Sequence, residues 1–380
     1  MASAYLDNSA TTKPCPAAVA AVQRCLTVEY YNPSSVYKPA VEVFRHLRDA
    51  RTHILEALNG ADCEVTFTSG GTEANNLAII GAVSRMRGRQ VLAVSAVEHP
   101  SVRAAFDALS EMGHDVRVIG VNEKGELDWA ALESALSAGA SLVSCMQVNN
   151  ETGALLDAAR LRRMAEGRAL VHVDGVQGFL RVPFDMRWAD RYTLSGHKIH
   201  GPKGEGALVV KRGVKLNPRQ VGGGQEGGLR SGTENTPGIA GLDAAVQDML
   251  ALGGHMPAAL MKRKLRLINA VRGVVPGVIV NGPPPEDAAP HIVNLGFPNV
   301  RGEVMLHALE ADGIYVSTGS ACSSKKLKVS GVLTAMGISP SVAEWAVRFS
   351  LSPYTTDEEI DYAAQRIGVQ YDLLKRYQRR

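Results

Sequence analysis

Residues 192–204 read Tyr192-Thr193-Leu194-Ser195-Gly196-His197-Lys198-Ile199-His200-Gly201-Pro202-Lys203-Gly204, and the apolar run Ala207-Leu208-Val209-Val210 follows. Two strand-like segments thus bracket a polar turn that holds a hydroxyl, an imidazole and an amine. Such a lysine can form a Schiff base with a phosphorylated aldehyde, whose phosphate the neighbouring groups can hydrogen-bond. The alternative interpretation is a solvated loop, because surface loops rich in Ser, Gly, His and Lys are common.

A second motif lies upstream, where an apolar strand ends in a carboxylate. It reads Val171-His172-Val173-Asp174-Gly175-Val176-Gln177. A carboxylate at the end of one strand, with Lys198 on the next strand, suits a pyridine ring that is held at both ends.

Strand and helix patterns alternate between residues 64 and 210. This alternation predicts an α/β fold with a mostly parallel sheet and helices on both faces. Because the carboxyl ends of parallel strands meet in one crevice, polar residues that follow strands are expected to converge there. They are Thr72, His99, Asn149, Asp174 and Lys198.

The turn at residues 69–76, Ser-Gly-Gly-Thr-Glu-Ala-Asn-Asn, leads from a strand into a helix. Its glycines and free backbone N–H groups make it a candidate anion site. The alternatives are a plain helix cap at Thr72 and a capping or surface role for His99.

The length of 380 residues allows one large and one small domain. We predict an N-terminal segment (1–14) that packs with the small domain, a large cofactor-binding domain (15–255) and a small C-terminal α/β domain (256–380). The glycine-rich stretch 222–235 indicates a ligand or subunit contact. Residues of about 316–330, which are mostly small and include Cys322, predict a mobile loop.

Composition excludes several classes of function. A net charge of +3 gives no reason to expect nucleic-acid or membrane binding. No apolar run approaches the roughly 20 residues of a membrane span, and the N-terminus lacks the pattern of a secretory signal. Five cysteines without metal-ligand spacing predict no metal site and fit the reducing cytoplasm.

With these pieces in place, the sequence resembles the cysteine desulfurases of the nitrogen-fixation and iron–sulfur-assembly type. The resemblance covers nearly the whole chain and implies the fold of pyridoxal-phosphate enzymes of fold type I, the aspartate-aminotransferase-like class. The motifs that carry it are T-S-G-G-T-E-A-N-N, E-H-P, V-N-N-E-T-G, H-V-D-G-V-Q, S-G-H-K-I-H-G-P-K-G, G-G-G-Q-E-G-G-L-R-S-G-T-E-N, S-A-C-S-S and R-F-S.

The resemblance implies a role for each residue that matches a family motif. Lys198 would carry pyridoxal 5'-phosphate and shuttle protons, Asp174 would pair with the pyridine nitrogen, and His99 would stack on the ring. Asn149 and Gln177 would hydrogen-bond the ring oxygen. The phosphate would be held by Thr72, Ser195 and His197, with Gly71 also in the cofactor site and Thr233 supplied by the partner subunit of a homodimer.

The implied reaction converts L-cysteine to L-alanine. Arg348 would bind the substrate carboxylate, with Asn149 and Asn32 nearby, and Cys322 would attack the substrate sulfur and keep it as a persulfide. The sulfur would pass through Cys322 to an acceptor or scaffold protein, for iron–sulfur cluster assembly or for tRNA thiolation.

Other hypotheses remain open at this point. They are a selenocysteine lyase, a small-amino-acid aminotransferase, and a non-catalytic protein that keeps the fold as an interaction scaffold. The sequence also departs from the family pattern. Tyr31 and Tyr37 replace the usual glycine and histidine, Gly175 stands where alanine is commoner, and Leu351-Ser352-Pro353 follows R-F-S where a glycine is usual.

Overall fold

The structure, a computed structural model, describes residues 3–319 and 330–377. Helices begin at prolines or at polar caps. Pro16, for example, opens the first helix, and Asp128 Oδ1 accepts hydrogen bonds from two N–H groups of the fifth. The helices in the described ranges are α1 (Pro16–Thr27), α2 (Lys38–Ala57), α3 (Gly71–Val83), α4 (Pro100–Glu111), α5 (Trp129–Ser137), α6 (Ala158–Ala165), α7 (Thr236–Ala251), α8 (Met256–Val274), α9 (Gly302–Ala311), α10 (Gly331–Ala335), α11 (Pro340–Glu344) and α12 (Asp357–Tyr377).

The strands form one large sheet and two small ones. Most of them are short and apolar, as expected of strands that are covered on both faces. They are β1 (Ala4–Tyr5), β2 (Cys63–Thr68), β3 (Val91–Ser95), β4 (Asp115–Ile119), β5 (Ala140–Met146), β6 (Leu170–Asp174), β7 (Arg191–Ser195), β8 (Gly206–Lys211), β9 (Ile279–Asn281), β10 (Ile292–Gly296), β11 (Ile314–Tyr315) and β12 (Ala346–Ser350).

The large sheet has seven strands in the order β2-β8-β7-β6-β5-β3-β4. Strand β8 runs antiparallel to both of its neighbours, and all the other pairs are parallel. The carboxyl ends of β2, β3, β5, β6 and β7 therefore lie along the same edge, and Asp174 pairs in register with Thr193. The mostly parallel sheet predicted from the sequence is confirmed.

Helix α3 lies buried beside this edge and brings its N-terminus to the strand ends. Its residues from Ala74 to Val83 are buried except Asn76, so the helix has little polar face. Gly206 of β8 permits the approach, because a Cβ there would lie 2.7 Å from the Cα of Gly70. This packing fixes the start of α3 relative to β7 and β8.

The C-terminal part of the chain contains an antiparallel sheet with the order β12-β10-β9. The N-terminal segment joins this part of the molecule, since β1 pairs with β11 and Asp7 forms a parallel bridge with Ser350. The division into residues 1–14, 15–255 and 256–380 stays a prediction.

The alternation of strands and helices expected between residues 64 and 210 is present. Lys198 lies in the 3-10 turn Gly196–Lys198 directly after β7, within the polar turn expected between two strands. The short elements β9, β11 and α10 were missed because two to five residues carry too little periodicity. In the two described ranges, no helix is both long and apolar enough to cross a bilayer.

Candidate active site

Asp174 ends β6 and is almost fully buried. Its Oδ2 accepts a hydrogen bond of 2.9 Å from Asn75 Nδ2, and its Oδ1 accepts one of 3.0 Å from the backbone N–H of Val176. Two donors on fixed elements supply the hydrogen bonds that a buried carboxylate requires. The acid is therefore held with defined orientation at the strand end.

His99 lies at the N-terminus of α4, where Ser101 contacts its Nδ1 through both the hydroxyl (2.8 Å) and the backbone N–H (3.2 Å). Burial lowers the pKa of His99, while the charge of Asp174 acts in the opposite direction. Because Nδ1 accepts from an N–H, the neutral ring carries its proton on Nε2. His99 thus caps its helix, which was the alternative to a functional role, and it also lies in the electrostatic field of Asp174.

Lys198 Nζ donates to the carbonyl oxygens of Ser9 and Ala10, both at 2.7 Å. The oxygen of Ser9 also accepts from Gln177 Nε2 at 2.9 Å, and Gln177 Oε1 is buried without a hydrogen-bond partner in the described part of the chain. The N-terminal segment therefore contacts the residues after both β6 and β7, and sequence reasoning gave it no such role.

His197 completes this contact, since its Nδ1 lies 3.2 Å from Thr11 Oγ1. Burial, aided by the charges of Lys198 and Lys203, lowers the pKa of His197 to about 4. The imidazole is therefore neutral at physiological pH and can act as a hydrogen-bond donor or acceptor rather than as a cation.

The N-terminus of α3 faces the strand that carries Ser195. A Cβ on Gly70 would lie 3.8 Å from Ser195 Oγ, and a Cβ on Gly71 would lie 2.8 Å from a methyl group of Val176. Backbone N–H groups at a helix start, next to a hydroxyl, are suited to bind an anion. The candidate phosphate site at Gly71, Thr72 and Ser195 is thus assembled from α3 and β7.

The Asn149 side chain is largely engaged by its own turn. Its Oδ1 accepts from the N–H groups of Glu151 and Thr152, each at 3.0 Å, and its Nδ2 donates to the carbonyl of Val97 at 3.2 Å. The same nitrogen also donates to the sulfur of Met146 at 3.4 Å, so both amide hydrogens have partners. Asn149 therefore forms part of the wall of the site and fixes the turn that carries it.

Arg348 on β12 forms an ion pair with Asp7, in which Nη2 lies 2.7 Å from Oδ1. Its Nη1 donates to the backbone carbonyl of Asn150 at 3.0 Å, so the guanidinium lies beside the turn that contains Asn149. The long-range folding of β12 onto the N-terminal segment brings this arginine to the site.

Two buried acids near the site were quoted within motifs but given no role by the sequence. Glu98 Oε1 accepts from the N–H of Met146 at 2.6 Å, and burial followed by the charge of Asp174 raises its pKa well above the usual value. Glu151 accepts from Ser330 Oγ at 2.5 Å, and burial raises its pKa to about 7. Their position after strands was a signal that could have identified them.

Asn75 was also missed, although it lies one helical turn from Gly71 in a motif that the sequence singled out. A further polar chain supports the sheet beneath Asp174: His172 contacts Ser144 Oγ at 2.8 Å and Thr193 Oγ1 at 3.1 Å. Residues two apart on a strand share a face, which places His172 on the same side of β6 as Asp174.

The structure thus places together most of the residues that the sequence selected. These are Gly71, Thr72, His99, Asn149, Asp174, Gln177, Ser195, His197, Lys198 and Arg348. Asn32 and Thr233 are exposed instead, and within the described ranges neither forms a hydrogen bond or ion pair with another of the selected site residues. Cys322 lies outside the described residues. Among those residues, no group of three or more His, Cys, Asp or Glu side chains is arranged to hold a metal ion.

Comparison with known proteins defines the class to which this site belongs. Residues 4–363 match the model of the aminotransferase class-V family, so the chain belongs to that family. A cysteine desulfurase from a Nostoc species is 40% identical over 363 residues, covering 94% of this chain and 90% of the relative. The cysteine desulfurase NifS of Azotobacter vinelandii is 38% identical over 371 residues, covering 97% and 92%.

The fold agrees with this assignment. A solved structure of a NifS-like protein superposes with a TM-score of 0.90 at 31% identity, covering 98% of this chain and all of the other. Within the class-V family the chain is therefore related to the cysteine desulfurases. The resemblance drawn from the motifs and the type I fold are both confirmed.

Proposed function

We propose that the protein is a cysteine desulfurase that uses pyridoxal 5'-phosphate to convert L-cysteine to L-alanine and retains the sulfur as a persulfide on Cys322. The observation that carries the proposal is the arrangement of Asp174 and Lys198. The two residues follow neighbouring parallel strands and share a site with a neutral His99. The relatedness to cysteine desulfurases selects this reaction among those that the fold supports.

The residues present fit the cofactor. The N-terminus of α3 presents backbone N–H groups beside Ser195 Oγ, which suits a phosphate, and Asp174 is a buried acid suited to a pyridine nitrogen. Gln177 has a buried oxygen without a hydrogen-bond partner in the described ranges. Pyridoxal phosphate, when bound, supplies an electron-withdrawing ring that makes the Cα proton of the substrate acidic.

Each side chain of the site is assigned a separate role in the reaction. Lys198 Nζ would take up and return the proton at Cα, and His99, neutral and protonated on Nε2, would offer a hydrogen-bond donor at the same edge of the sheet. Arg348 would bind the α-carboxylate, since its guanidinium still has unused N–H groups. Asn149 would line the site beside Arg348, held in place by the hydrogen bonds of its own turn.

Cys322 supplies the nucleophile in this proposal. Its thiolate would attack the sulfur of the substrate, the carbon–sulfur bond would break, and the carbon would gain a proton to give alanine. One cysteine and one enzyme thiol thereby become one alanine and one enzyme persulfide, with no external oxidant or reductant. A sulfur-acceptor protein, such as an iron–sulfur scaffold, would then take the sulfur from Cys322.

The site is proposed to be completed by a second copy of the chain. The stretch 222–235 is fixed by ion pairs of Arg230 with Glu73 (3.1 Å) and of Glu226 with Arg51 (2.7 Å), while Thr233 remains exposed. An exposed threonine on an anchored loop is suited to reach the phosphate of a partner subunit. Free thiols at all four described cysteines fit a reducing compartment, and we propose the cytoplasm.

The test is an assay of alanine and sulfide release from L-cysteine by the purified holoenzyme. Cys322→Ala should retain the yellow cofactor and lose sulfide production, whereas Cys25→Ala, a control at another thiol, should remain active. Lys198→Ala should lose the borohydride-reducible adduct. Unchanged turnover in Cys322→Ala would exclude the proposed nucleophile, and failure to release alanine would exclude the function.

A further inference from the structure

The arginine assigned to the substrate carboxylate already holds a carboxylate of its own chain. Arg348 Nη2 lies 2.7 Å from Asp7 Oδ1, and the two side chains are only 7% and 19% exposed. A charge-assisted pair with so little water around it interacts more strongly than a surface ion pair. Any incoming carboxylate must therefore bind in the electrostatic field of Asp7.

The backbone fixes Asp7 in this position. It forms a parallel bridge with Ser350 on the strand that carries Arg348, and its carbonyl accepts from the N–H of Ala10 at 3.0 Å. Ser9 and Ala10, which follow closely, accept the hydrogen bonds of Lys198. Asp7 is thus part of the same segment that lines the site, and its side chain is positioned without help from a ligand.

The guanidinium has capacity for a second anion. Of its five N–H groups, one is donated to Asp7 and one to the carbonyl of Asn150, and the buried Nε has no partner in the described part of the chain. A substrate carboxylate can therefore bind Arg348 without displacing Asp7, but it then lies close to a like charge. That repulsion lowers its affinity.

We propose that Asp7 is an intramolecular counter-ion of Arg348 that limits the affinity of the site for the α-carboxylate of substrate and product alike. The inference rests on the proposed function, in which Arg348 binds that carboxylate. Asp7 keeps the guanidinium oriented when no amino acid is bound, and it weakens retention of L-alanine after sulfur transfer. It acts through Arg348 and is a positioning residue, not a catalytic one.

The test compares the holoenzyme with its Asp7→Asn variant, which keeps an oxygen acceptor and removes the charge. Calorimetric titration with L-alanine should show affinity higher by about five- to thirty-fold, the size expected for removing one nearby like charge. Ethylamine, which is alanine without its carboxylate, should bind both proteins equally. In turnover, KM for L-cysteine should fall while kcat does not rise, because the carboxylate is bound equally in ground and transition states.

Equal or weaker binding of L-alanine by Asp7→Asn would overturn the inference, as would an equal gain for ethylamine. Asp7→Ala is a second variant that also removes the charge, and it should shift the affinity in the same direction if Asp7→Asn does not fold. Arg348→Gln separates the two proposals. If it leaves L-alanine binding unchanged, the assignment of Arg348 fails; if it weakens binding while the Asp7 variants do not tighten it, only the role of Asp7 fails.

Discussion

Asn75 donates to Asp174 across 2.9 Å, and the same amide nitrogen lies 2.9 Å from Ser101 Oγ. Ser101 in turn contacts Nδ1 of His99. One side chain on α3 therefore orients the acid at the end of β6 directly and the imidazole at the start of α4 through a hydroxyl. The acid expected to pair with the pyridine nitrogen and the imidazole expected to stack on the ring are therefore coupled by this single amide.

Asn75→Ala should lower kcat about 10- to 100-fold, because a hydrogen bond to a charged group contributes about 1.5–3 kcal/mol. Steady-state turnover and the visible absorption of the cofactor are the measurements. Asn76→Ala is a matched control, since the Asn76 amide donates to the carbonyl of Thr72 in its own helix. Equal losses in the two variants would contradict the proposed role of Asn75.

The glycine in D-G-V-Q has a steric cause. A Cβ on Gly175 would lie 1.8 Å from Cζ of Tyr192, whose hydroxyl donates to Gln147 Oε1 at 2.6 Å. We expect Gly175→Ala to reduce the free energy of unfolding by about 1–3 kcal/mol through overpacking. Urea denaturation is the measurement.

Tyr192→Leu should make room for the added methyl group, so the double variant should lose less stability than the sum of the single changes. Gly273→Ala is the control, because a Cβ there meets no atom within 4 Å and the residue lies within α8. Strict additivity of Gly175→Ala and Tyr192→Leu would show that the tyrosine ring is not the reason for the glycine.

The Glu151 carboxylate lies next to both Gly319 and Ser330. Its carboxylate bonds Ser330 Oγ, and a Cβ on Gly319 would lie 1.9 Å from the same oxygen. Its pKa, raised to about 7 from the usual 4.5, means that between these values the folded state binds the proton more tightly than the unfolded state. The stability that comes from this protonation is present below about pH 4.5 and is lost as the pH rises through 7.

Relative to Glu151→Gln, the wild-type protein should therefore lose stability between pH 5 and pH 8, by up to about 3 kcal/mol. Urea unfolding of both proteins across this range measures the difference. Glu64→Gln, at an exposed position on β2, should show no such trend. A pH-independent difference for Glu151→Gln would mean that the carboxylate does not titrate in this range.

His197 has the opposite effect on how the stability of the fold depends on pH. Its pKa is lowered to about 4, so between pH 4 and the usual value near 6.5 the unfolded state binds the proton more tightly. Its contribution to stability is present above pH 6.5 and is lost as the pH falls toward 4.

His197→Asn should accordingly flatten the acid side of the stability profile, measured by urea unfolding from pH 7 to pH 4. His255→Asn, at an exposed position, should leave the slope as it is in the wild type. If His197→Asn has the wild-type slope, protonation of this imidazole is not part of acid destabilisation.

Much of the architecture could be predicted from the sequence. The run that ends in Asp174 is mostly apolar, and polar residues follow directly after it and after Ser195, so these strands, turns and their shared edge follow from local patterns. The N-cap at His99 and the turn at Gly71 are local in the same sense. Gly175 was recognised as a departure from the family pattern, but its cause is a tyrosine on the next strand.

The sequence by itself determined the parallel sheet, the strand ends and the residue types at the crevice, because short-range sterics and burial periodicity encode them. Only the tertiary structure decided that Asp7 pairs with Arg348, 341 positions away, and that Glu151 bonds Ser330, 179 positions away. The first pair depends on the bridge between Asp7 and Ser350 of β12, and the second on the contact of the turn after β5 with the start of α10. Since these long-range contacts are set by packing across the whole molecule, no local sequence pattern predicts them.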